Sequence, residues 1–135
     1  MAYITQEMKK ELTPAIKAVL KKYGCKGSIS INNHSSLVVT VKEGPIDFIG
    51  DCNQRNKEYA DRTGGIYREI KDYVQFSRHQ HNLDGTTSKK FLGEMVQAMM
   101  GDKWYDNSDI QVDYFDIAYY ININIGRWDK PYKLI

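Results

Sequence analysis

The chain has 135 residues, 41% of them hydrophobic and 27% charged, which suits one domain around one core and excludes a low-complexity or disulfide-built scaffold. The formal net charge is only +2, so overall charge selects neither nucleic acid nor a membrane surface as partner. No apolar run approaches 18 residues, which excludes a transmembrane helix by length, and the N-terminus lacks the charged-then-apolar pattern of a secretory signal.

The first predicted element is a helix. Thr5 is placed to cap it, and Met8, Leu12, Ile16, Val19, Leu20 and Tyr23 recur at helical spacing on one face. Gly24 is the stop signal. Pro14 predicts either a kink or a second helix that starts with Thr13 as cap. Lys9, Lys10, Lys17, Lys21 and Lys22 fall mostly off the apolar stripe, as a solvated face would, or as a basic surface for phosphates would.

Two strands follow. Ile29 and Ile31 share one face of the first; Leu37, Val39 and Val41 share one face of the second, opposite Val38, Thr40 and Lys42. The connector NNHSS reads as a hairpin loop, and Gly44-Pro45 ends the second strand. DCNQRNKEYADR reads as a short helix stopped at Gly64-Gly65, and DYVQFS as a short strand. Residues 46–85 are expected to be a variable or mobile insertion within a single domain spanning 1–135. The next helix starts at Thr86 or Thr87, carries a stripe of Phe91, Leu92, Met95, Val96 and Met99, and stops at Gly101.

The strongest strand signal comes last. Ile117, Tyr119, Ile121, Ile123 and Ile125 alternate with Ala118, Tyr120, Asn122 and Asn124. One face is apolar and the other polar, so the sheet is covered on one side. The order helix, strand, strand, irregular, strand, helix, strand predicts an α+β fold: a mainly antiparallel sheet of about four strands with two or three helices packed on one face.

Chemistry is sparse. There is no P-loop, GxGxxG or GxSxG, so no cofactor is expected. Cys25 and Cys52 make no framework and read as free thiols. His79 and His81 could share a strand face but lack further ligands at zinc spacing, and His34 sits in the hairpin loop. The charge is unevenly placed. Residues 1–45 hold seven lysines against three glutamates, a net +4; residues 101–118 hold five aspartates against one lysine, a net −4. Asp106, Asp109, Asp113 and Asp116 lack the turn glycine and closing glutamate of a calcium loop, and a stretch rich in Asp, Asn and Ser is also what a structural loop with turn and capping chemistry produces. Interleaved with Tyr114, Tyr120 and Trp128, they fit a partner-binding surface better than a stacking platform for single strands, because aspartates repel phosphate.

The segments ELTPAIKAVLKKYGCKGSISINNHSSLVVTVKEGPIDF and YDNSDIQVDYFDIAYYININIGRWDKPY together resemble small accessory proteins of tailed phages, prophages and plasmids. Similar modules occur as accessory domains of large polyvalent proteins of mobile elements. The resemblance covers most of the chain and is weakest at 50–85. It implies a phage-encoded protein acting in the host cytoplasm and carries over no catalytic residue. The reading is a non-enzymatic accessory protein that binds a host macromolecule, such as a defence protein, through the acidic aromatic surface. The alternative is a nucleic-acid-binding module using the five lysines of the first helix, and a third class is a metal-dependent hydrolase centred on the aspartates.

Overall fold

Helix α1 (Gln6–Lys22) begins where the sequence signals it, with the Thr5 hydroxyl accepting a hydrogen bond from the Met8 amide at 3.1 Å. The computed structural model describes residues 3–67, 69, 72–77, 86–101, 104–105, 117–127 and 129–135. Of the two outcomes expected at Pro14, the separate second helix does not form: one helix runs through it. Pro14 lies on the exposed face, where water can satisfy the carbonyl of exposed Lys10 that it leaves without a donor. Ile16 and Leu20 are buried, and Met8, Leu12, Val19 and Tyr23 pack partly against the core. The helix ends at Gly24, whose φ of 69° is costly for any residue with a Cβ.

Strands β1 (Lys26–Asn32) and β2 (Ser36–Gly44) form an antiparallel hairpin. Its turn needs two residues with positive φ, supplied by Asn33 at 54° and His34 at 58°, and the Ser35 amide closes it on the Asn32 carbonyl at 3.2 Å. His34 is thus part of the turn, and its carbonyl also receives the Ile4 amide. Helix α2 (Phe48–Thr63) is capped by Asp47 and ends at Gly64, in the left-handed region. Strand β3 (Val74–Ser77) and helix α3 (Thr87–Met100) follow; Thr86 caps α3 and Gly101 stops it.

Strand β4 (Tyr120–Ile125) lies inside the sheet, parallel to β2 on one side and antiparallel to β3 on the other. The two-residue β5 (Lys133–Leu134) runs parallel to the end of β2. The order is β1-β2-β4-β3, with β5 beside β2. The fold is α+β, the described residues forming three helices and a mixed sheet in which antiparallel pairing predominates. The parallel β2–β4 contact needs a long crossover, and α2, β3 and α3 all lie within it.

Register sorts the faces. Leu37, Val39 and Val41 stand beside Ile121, Ile123 and Ile125, and Phe76 pairs with Ile123; all seven are buried on the helix-covered face. Phe48 and Cys52 of α2 and Phe91, Leu92, Met95, Val96 and Met99 of α3 complete that core. Edge-to-face contacts link Tyr23, Phe91, Phe48 and Tyr132, with ring centres 5.1–5.6 Å apart. The Tyr132 hydroxyl donates to the Ile46 carbonyl at 2.8 Å, joining the C-terminal segment to the approach to α2. The opposite face carries Ser30, Thr40, Asn122, Asn124 and Gln75.

Candidate functional site

Helix α1 has two flanks, and each borders a concavity. On the side toward α3 lies a cleft of about 760 Å³. Met8 and Leu12 of α1 and Ala98 and Met100 of α3 supply apolar walls, and Tyr3, Trp104 and Tyr105 supply aromatic ones. The Trp104 indole donates to the Tyr119 carbonyl at 2.9 Å, so its ring is held in place. Tyr119 is buried; its hydroxyl donates to the Met99 carbonyl, with the Met100 carbonyl 3.0 Å away, which satisfies the end of α3. Burial pushes that phenol up to about 12, so it stays protonated at physiological pH.

The cleft also marks where the acidic stretch leaves and rejoins the described chain. Tyr105 and Ala118 both line it, and the Ala118 amide donates to the Tyr105 carbonyl at 3.0 Å. The expected partner-binding residues Asp106, Asp109, Asp113, Tyr114, Asp116 and Trp128 lie outside the described residues, as do His79 and His81. Tyr120, the remaining member of that set, is 48% exposed and faces the polar side of the sheet, level with Ser36. Its neighbour Tyr119 faces the other way, so the strand separates the two rings.

On the other flank of α1, a groove of about 530 Å³ runs between the helix and β1. Lys9, Lys10 and Lys17 line it with Thr13, and Gly27, Ser28 and Ile29 of β1 form the opposite side. The fold therefore divides the five lysines expected to act together. Lys22 instead pairs with Glu94 of α3, and the Tyr23 hydroxyl donates to the same carboxylate. The hydrogen bond from Lys22, followed by that from Tyr23, holds the Glu94 carboxyl below its usual range; the same contact raises Lys22. Lys21 is exposed and lies outside the groove lining.

Both cysteines are free, as their number led us to expect, and both are buried. Burial pushes each thiol up to about 11, with the Asp51 carboxylate adding to the shift at Cys52. Neither is primed as a nucleophile, which requires a lowered pKa or an adjacent base. Among the described residues no three His, Cys, Asp or Glu side chains converge on a metal site, and no helix is long and apolar enough to cross a membrane.

The apolar cleft was the feature that sequence reasoning missed. Its one legible signal was the aromatic pairs Trp104-Tyr105 and Tyr119-Tyr120 bracketing the acidic stretch. Set against protein-family models, curated proteins and solved structures, the chain matches none of them.

Proposed function

We propose that this chain is a non-enzymatic accessory protein that binds another protein through the cleft between α1 and α3, with the acidic residues of 106–116 as the charged border of that surface. The observation that carries the reading is the position of Tyr105 and Ala118. Both line the apolar cleft, and they are hydrogen-bonded to each other across the acidic stretch. The acidic stretch 106–116 lies between these two cleft residues in the sequence, which supports counting its aspartates with the same surface. An apolar centre with aromatic anchors and a charged rim is the usual anatomy of a protein-binding surface.

The partner that fits has a basic rim and an apolar or aromatic side chain to seat in the cleft. Protein surfaces that themselves bind nucleic acid have such basic rims, and an acidic competitor would block them. The likeness of the two terminal segments to phage and plasmid accessory proteins supports a host defence protein as that partner, met in the host cytoplasm. The test is capture of partners from host lysate, followed by association kinetics of purified pairs at two salt concentrations. Tyr105→Ala should speed dissociation, and Asp106→Asn with Asp109→Asn should slow association and flatten its salt dependence. A partner whose kinetics ignore all three substitutions would overturn the reading.

A further inference from the structure

We propose that the outer edge of β1, together with the lysine flank of α1, is a second docking groove, and that it takes an extended acidic segment of another protein as an added strand. The proposal does not rest on the cleft between α1 and α3, which lies on the other flank of the helix.

The first observation is topological. Among the described residues β1 ends the strand order and pairs only with β2, and none hydrogen-bonds along its other side. Alternate residues of an edge strand direct amides and carbonyls outward, a template for another strand. Proteins usually blunt such edges with proline, bulges or charge. Here the one register shift lies between Lys26 and Gly27, at the start of the strand. The one charge, Lys26, already faces Glu43 at 3.7 Å. From Gly27 to Asn32 the sequence is Gly-Ser-Ile-Ser-Ile-Asn, uncharged and free of proline.

The second observation is the wall above this edge. Lys9, Lys10 and Lys17 line the same groove as Gly27, Ser28 and Ile29. Unlike Lys22 and Lys26, none of the three has a carboxylate partner among the described residues. Three ammonium groups beside an open strand edge call for a ligand that brings both backbone hydrogen bonds and negative charge. The spacing agrees. Lys10 and Lys17 are seven residues apart, about 10 Å along a helix axis. Side chains on one face of an extended peptide recur about every 6.8 Å, within reach of flexible lysine stems. Half-buried Ile29 in the groove gives the intervening apolar side chains a contact. A helix beside an open sheet edge is a recurring arrangement for strand addition, where main-chain bonds give affinity and side-chain contacts give selectivity. Single-stranded nucleic acid fits less well, because the groove lining includes no aromatic side chain on which bases could stack.

The test uses the full chain and a fluorescent ten-residue peptide of alternating glutamate and valine, followed by anisotropy at low and moderate salt. Three comparisons go with it: the same peptide N-methylated at alternate residues, its lysine–valine counterpart, and an oligothymidylate of equal length. The acidic peptide should bind saturably and the lysine peptide should not. N-methylation, which removes backbone donors and leaves every carboxylate, should weaken binding at least tenfold. Lys10→Glu with Lys17→Glu, both at exposed positions, should weaken it similarly with an unchanged circular dichroism spectrum, whereas Tyr105→Ala should not. Undiminished binding of the N-methylated peptide would reduce the groove to a charged patch and overturn strand addition. Tighter binding of oligothymidylate, lost in the double lysine variant, would reassign the groove to nucleic acid. Absence of saturable binding by any probe would overturn the proposal outright.

Discussion

Replacing Ile123 by alanine tests the placement of β4 most directly. Ile123 has no exposed surface and sits in the middle of the sheet, level with Val39 on one side and Phe76 on the other. The change deletes three carbon groups at about 0.8 kcal/mol each, roughly 2.4 kcal/mol of lost burial. The fully buried surroundings relax only in part, and the cavity term brings the expected loss to about 3–4 kcal/mol. At about 2.1 cal/mol/K of unfolding entropy per residue, that lowers the melting temperature by on the order of 10 °C for a chain of this length. The control is the next residue. Asn124 is half-buried, pairs with Thr40 and Gln75, and faces away from the core, so Asn124→Ala should cost no more than about 1 kcal/mol. Urea titrations of the three proteins, compared at matched m-values, measure both differences. Equal losses at the two positions, or a larger loss at Asn124, would refute the register, because a one-residue slip exchanges the two faces of the strand.

The Lys22–Glu94 pair predicts a pH window for the α1–α3 contact. Glu94 titrates below its ordinary 4.5, so its contribution is complete above that value and fades as pH falls through the lower folded pKa; Lys22 titrates above 10.5, so its contribution holds below that value and fades as pH rises further. The stability difference between the native chain and Glu94→Gln should therefore be flat at neutral pH and shrink in acid and in strong alkali; a difference independent of pH would remove the pair from the account. The thiols give a second check. With Cys25 and Cys52 buried and pushed up to about 11, maleimide labelling at pH 8 should be slow in the native protein and fast in denaturant, and rapid native labelling of either would contradict its burial.

Local chemistry was legible in the sequence because it acts over a few residues. The Thr5 and Thr86 caps, the glycine stops at 24, 64 and 101, and the Asn33-His34 turn all appear where their residue types require. The alternation through Ile121, Ile123 and Ile125 identified both the strand and its buried face. The ordered strand starts only at Tyr120, because Ala118 bonds back to Tyr105 and the Tyr119 side chain is used to close α3. Pro14 left two outcomes open in the sequence, and a single continuous helix results: on an exposed helix face its missing donor is tolerated, and exposure is a tertiary property.

The candidate surfaces depended on long-range contacts. A lysine's position on a helix says which way it points, but not what lies opposite. Only packing set Lys22 against Glu94 of α3 and left Lys9, Lys10 and Lys17 above the open edge of β1. The cleft exists because α1 and α3 cover the same sheet face while Trp104, Tyr105 and Tyr119 close one end, a meeting of segments nearly a hundred residues apart. Sequence periodicity thus determined which face of each element is apolar. Which faces meet, which strand stays at the edge and which concavities remain between them were decided by the parallel β2–β4 pairing, since its choice of neighbours depends on burying all the apolar faces at once.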